Sequence, residues 1–129
     1  MAVQDLWGNF QLEAVRTPLV ILREQAAALG PKTQNLVEAE VSTSTFRGEF
    51  RHRFELVVPT FDDYRYDLLT LTHDIEIYPL HLEYPADTEL SRVVSSEDEL
   101  KEALQKALSS THTQQIISRL AGHASAMKS

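Results

Sequence analysis

Residues 36–58 read LVEAEVSTSTFRGEFRHRFELVV, and this stretch decides the fold. Before Gly48, Val37, Ala39, Val41, Thr43 and Thr45 alternate with Glu38, Glu40, Ser42 and Ser44. After it, Phe50, His52, Phe54, Leu56 and Val58 alternate with Glu49, Arg51, Arg53 and Glu55. A period of two on both arms is the signal of half-buried strands. Folding the chain at Arg47-Gly48 sets Val41 opposite Phe54, Ala39 opposite Leu56 and Val37 opposite Val58, all on one face. A slip of one residue would turn one arm's apolar set into water, so the pattern pins the register. The other face carries Glu38 and Glu40 diagonally near Arg51 and Arg53, a mildly favourable arrangement. A two-residue type I′ turn needs positive φ at both Arg47 and Gly48. A longer loop with Gly48 alone in the left-handed region fits the pattern equally well.

Helical signals flank the hairpin. Thr17 is an N-cap residue and Pro18 suits the first helical position. Leu19, Leu22, Ala26 and Leu29 then recur at spacings of three and four, one apolar stripe. Gly30-Pro31 is expected to end that helix, because Gly suits the left-handed position after a helix and Pro cannot continue it. Residues 1–16 contain Leu6, Trp7, Phe10, Leu12 and Val15 without one period, a short strand or a helical lead-in to the core.

Past the hairpin, Pro59 to Asp63 reads as a turn. Tyr64 to Tyr84 is too long for one strand and splits at His73-Asp74. Its apolar phase shifts by one residue near Tyr78-Pro79, which predicts a bulge or an edge strand there. Pro85 to Ser95 reads as a polar connection. Ser96-Glu97-Asp98-Glu99 is a capping box, and Leu100, Ala103, Leu104, Ala107 and Leu108 make the stripe of the helix that follows. Ile116, Ile117, Leu120 and Ala121 predict a short last helix, ended by Gly122, with 123–129 frayed. The expected fold is a single α+β domain over 1–129. It has two layers: an N-terminal helix, a four-stranded antiparallel meander, and two C-terminal helices packed on one sheet face.

Composition narrows the functional classes. The 43% of apolar residues suffices for a core. With no cysteine, disulfides, thiolate metal sites and cysteine nucleophiles are excluded. That is compatible with a cytoplasmic location, the expected compartment. No apolar run suggests a signal peptide or a membrane span. A net charge of −7 argues against nucleic-acid binding, which needs a basic surface. There is no G-x-S-x-G elbow and no glycine-rich phosphate loop.

The remaining candidates are side-chain clusters. His52 falls between Phe50 and Phe54 on the buried face and reads as a core histidine that hydrogen-bonds a neighbour. His73, Asp74 and His81 would converge into a metal site if the fourth strand folded back on the third, yet their spacing matches no ligand motif. Asp74 alone reads as turn chemistry, and His112 and His123 as solvated surface. Glu38/Glu40, Asp62/Asp63 and Glu97/Asp98/Glu99 are explained by a solvated strand face, a turn and a helix N-terminus. Arg51 and Arg53 with Tyr64 and Tyr66 supply the arginine–tyrosine mixture common at protein interfaces.

No segment carries a family motif. The layout recurs in small bacterial proteins of varied role, so it does not by itself give a function. The sequence leans away from an enzyme and towards a cofactor-free interaction or regulatory module. It would bind another protein through Arg51, Arg53, Tyr64 and Tyr66 on the outer sheet face, or through an exposed strand edge. The alternative is a small-ligand or metal-binding domain with its site at the end of the sheet. Homo-oligomerisation through a strand edge is a third possibility, with Pro79 marking the protected edge.

Overall fold

A computed structural model describes residues 4–128. The elements run α1 (Pro18–Lys32), β1 (Glu38–Phe46), β2 (Glu49–Val58), β3 (Tyr64–His73), β4 (Leu80–Glu83), β5 (Arg92–Val94), α2 (Glu97–Leu108) and α3 (Thr111–Lys128). All neighbouring strands are antiparallel, in the order β1-β2-β3-β4-β5. This is the expected α+β arrangement with one strand more than predicted. The fifth strand is three residues long and sits inside the polar connection, too short to show a period.

The hairpin pairs as its alternation requires, with Val41 opposite Phe54 and Ala39 opposite Leu56. Its loop has two residues, and both Arg47 (φ 51°) and Gly48 (φ 81°) are left-handed. Arg47 is an uncommon occupant of that region. Its guanidinium lies over the Phe46 ring, 5.1 Å from the centroid, a cation–π contact that offsets part of the cost.

The phase shift near Pro79 is not a bulge. Asp74 to Pro79 is a loop in which Asp74 Oδ1 accepts from the Glu76 N–H at 2.9 Å. Pro79 precedes β4, which lies between β3 and β5 and so is not an edge strand. The bulge is at Leu68: Phe54 faces Leu69, but Glu55 faces Asp67. One extra residue turns Tyr64 and Tyr66 on one side of it, and Leu69, Leu71 and His73 on the other, toward the same inner face.

The helix ends also differ from expectation. α1 runs through Pro31 to Lys32. Pro31 sits in the last turn, where only one helical hydrogen bond is lost. The chain then reverses through Gln34 and Asn35, both at positive φ, and Thr33 Oγ1 bonds both the N–H and the carbonyl of Val37. Ser96 caps α2 by accepting from the Glu99 N–H at 3.2 Å, while Glu99 reaches back to Ser95 rather than Ser96. α3 passes through Gly122 with Ala124 fully buried beyond it. That packing outweighs the roughly 1 kcal/mol that a helical glycine costs. The expected frayed tail is therefore helical to Lys128, and Ser129 lies outside the described residues.

The core lies between the inner sheet face and the helices, built from Leu22, Phe54, Leu69, Leu71, Leu82, Leu100 and Leu104 among others. Fully buried Tyr84 ties β4 to the α2–α3 junction. Its hydroxyl donates to Thr113 Oγ1 at 2.6 Å, whose own hydrogen goes to the Ala107 carbonyl. Residues 4–16 form neither helix nor strand. Leu6, Trp7, Phe10, Leu12 and Val15 are all exposed, so this segment does not dock on the core; residues 1–3 of the lead-in lie outside the described residues.

Candidate binding cleft and a buried histidine pair

α1 packs over β1, whereas α2 packs beside β5 and α3 reaches β2 and the turn at Pro59–Phe61. The two helical groups cover the inner sheet face but leave a gap between them. Between them lies a cleft of about 780 Å³. Phe54, Leu56 and Leu68 floor it, Ile21 and Leu29 line it from α1, and Leu104, Leu108 and Ile117 from α2 and α3. Leu68 continues the inward phase of Tyr64 and Tyr66, and the extra residue turns Leu69 inward beside it. Lys32 and Lys101 are the charged lining residues; the rest of the polar lining is amide and hydroxyl. The lining contains neither a carboxylate nor an imidazole. Arg16 pairs with Glu24 on α1 and with Glu97, 3.9 Å away, at the start of α2. It thereby joins the two helical groups.

A second feature lies on the same face. His52 Nε2 and His73 Nε2 are 2.8 Å apart. The ring centroids are 4.9 Å apart, so the two nitrogens point at one another between the rings. His73 Nδ1 is 2.7 Å from the Asp74 carbonyl and His52 Nδ1 is 2.8 Å from Thr43 Oγ1. A carbonyl can only accept, so His73 carries its hydrogen on Nδ1. Its Nε2 then accepts from His52 Nε2–H, and His52 Nδ1 accepts from the Thr43 hydroxyl. Every nitrogen is satisfied with both rings neutral. Both histidines are buried, and Phe50 stacks against each ring. Burial, followed by the proximity of His73 and of the Arg23 charge, lowers the His52 pKa to about 4.

The structure brings some of the sequence candidates together and separates others. His52 is the hydrogen-bonded core histidine expected of its position. His81 stands opposite Thr72 on the outer face and is exposed, whereas His73 is buried on the inner face. The Asp74 carboxylate serves its own turn. Among the described residues there is no group of three or more metal-ligating side chains. Arg51 and Arg53 lie on the outer face, while Tyr64 and Tyr66 stand opposite Val58 and Leu56 on the inner one, with Tyr66 packed against the core. The four are thus split between faces. On the outer face Glu40 pairs with Arg65 at 2.7 Å rather than with Arg51 or Arg53, and Arg53 approaches Asp67 at 4.0 Å.

The histidine pair has a signal that sequence reasoning missed. Without the bulge, the register at the start of β3 would continue and place His73 on the outer face opposite Glu49. The doublet Leu68-Leu69, breaking the alternation, marks the insertion that turns His73 inward. No helix among the described residues is long and apolar enough to cross a membrane. Comparison with known proteins finds no family model, no curated protein and no solved structure that matches this chain.

Proposed function

We propose that this protein is an interaction module that receives an apolar peptide segment of a partner protein in the cleft between α1 and α2–α3. The observation that carries this reading is the cleft itself: Leu29, Leu108 and Ile117, only partly buried, rim it above a floor of buried Phe54, Leu56 and Leu68. Burying that rim is favourable by about 25 cal/mol per Å², and an amphipathic helix laid in a groove is a common way to do it. Lys32 at the cleft favours a segment with an acidic end, Lys101 being paired with Glu97 at 3.1 Å. A lining without carboxylate or imidazole supports binding over catalysis.

The apolar probe 1-anilinonaphthalene-8-sulfonate tests the reading. The native protein at neutral pH is expected to raise the probe's emission, and Ile117→Trp, which fills the cleft from α3, is expected to remove most of that rise. Emission that is absent, or that Ile117→Trp leaves unchanged, would overturn it. A second reading, a small apolar ligand, is favoured by the volume, which lies within the range of about 300–1,000 Å³ usual for small-molecule sites. Native mass spectrometry separates the two, because a retained small molecule adds its own mass to the chain.

A further inference from the structure

The two edges of the sheet are built differently. β5 is three residues long, a short edge of the kind that resists further pairing. β1 is nine residues long and pairs with β2 without a single register shift. It contains no proline, no lysine and no bulge, the usual devices that block an edge. Ser42 to Phe46 are all exposed, and Phe46 is 73% exposed at the end of the strand. β1 therefore offers a long, regular row of open backbone donors and acceptors.

We infer that β1 is a self-association edge, which pairs antiparallel with β1 of a second copy about a two-fold axis at Ser42. Ser42 is the midpoint of the strand, so this register alone pairs all nine residues. It sets Ser42 opposite itself, Val41 opposite Thr43, Glu40 opposite Ser44 and Glu38 opposite Phe46. Directly opposed residues share a face, so the inner faces of both copies stay inner and a ten-stranded sheet results. No glutamate meets a glutamate. The acidic end of each strand, Glu38 and Glu40, instead meets the end that carries Phe46 and Arg47 in the other copy, and the arrangement occurs twice by symmetry. An axis at Ala39 or Glu40 would oppose carboxylates, which is unfavourable. This charge pattern favours a second copy over an arbitrary strand.

The absence of cysteine makes the test clean. Sedimentation is expected to give twice the 14.6 kDa of one chain. Ser42→Cys, at an exposed position, is expected to form a disulfide-linked dimer on mild oxidation. Opposed residues of an antiparallel pair lie about 4.5–5.5 Å apart at Cα, within disulfide range. Glu40→Cys, displaced from its own copy by four residues or about 13 Å, is expected not to cross-link. Ser42→Lys, which opposes two ammonium groups on the axis, is expected to return the chain to monomer with its fold intact. Three results would each overturn the inference: a wild-type monomer at every concentration, equal cross-linking at positions 40 and 42, or a dimer indifferent to Ser42→Lys.

Discussion

The cleft and the histidine pair lie on the same face of the same sheet, with Phe54 flooring one and His52, two residues earlier on β2, forming the other. In the cleft, the partly buried Leu29, Leu108 and Ile117 keep apolar surface open above a buried floor. In the pair, each of the four ring nitrogens has one partner and one role. Uncovered apolar surface gains free energy only by being covered, so the cleft has capacity for a ligand. A saturated polar chain has no such capacity, since any new partner must displace an existing hydrogen bond. Its contribution is to stability, and through protonation to the response to pH.

The largest effect is expected at Phe54, next to both regions and buried to 2% exposure. Phe54→Ala should cost about 3–5 kcal/mol in urea denaturation at neutral pH. It should deepen the cleft while leaving the pH response of stability as in the wild type. A changed pH response would show the two regions to be energetically coupled.

The next effect is the pH response itself. His52 has a folded pKa of about 4 against about 6.5 in an unfolded chain. Between those values the unfolded state binds more protons, so stability rises with pH there. The contribution is complete above pH ~6.5, shrinks as pH falls and is gone below about 4; its ceiling is ~3 kcal/mol. Denaturation midpoints at pH 7.5 and 4.5 should differ in that direction. His52→Gln, which cannot titrate, should reduce the difference, and an equal difference in the variant would remove His52 as its cause.

The smallest effect is at Thr43, the far end of the chain of hydrogen bonds. Thr43→Val removes the donor to His52 Nδ1 and should cost ~1 kcal/mol, the usual loss for one hydrogen bond. Probe binding in the cleft should not change. A loss of probe binding would mean that the pair supports the cleft, and the contrast between them would fail.

Much of the architecture was legible in residue order. The alternation of Val41 and Phe54 fixes their pairing because a half-buried strand tolerates only one phase. Thr17-Pro18 and Ser96 mark helix starts because unpaired N–H groups there need an acceptor or none at all. Signals weaker than tertiary packing failed. Gly30-Pro31 and Gly122 read as helix stops, but a proline in the last turn loses little, and buried Ala124 holds α3 beyond its glycine. β5 has too few residues for a period, and only pairing with Leu80 and Leu82 makes it a strand. The bulge at Leu68 was readable as a doublet, yet the phase shift near Pro79 gave a competing place for it.

The candidate sites were less legible because they depend on distances between elements far apart in the chain. His52 and His73 are 21 residues apart, and one extra residue in β3 decides whether they face the same side. The cleft exists because α1 and α2–α3 settle on separate parts of the sheet, a spacing that no local pattern encodes. By itself the sequence determined which residues turn inward along β1 and β2, where most helices begin, and the antiparallel order of the hairpins, all set by periodicity and backbone chemistry within a few residues. Only the tertiary structure decided which inward residues meet, which remain uncovered and which edge stays open. Those outcomes follow from the relative placement of whole elements, which is governed by packing over the full core.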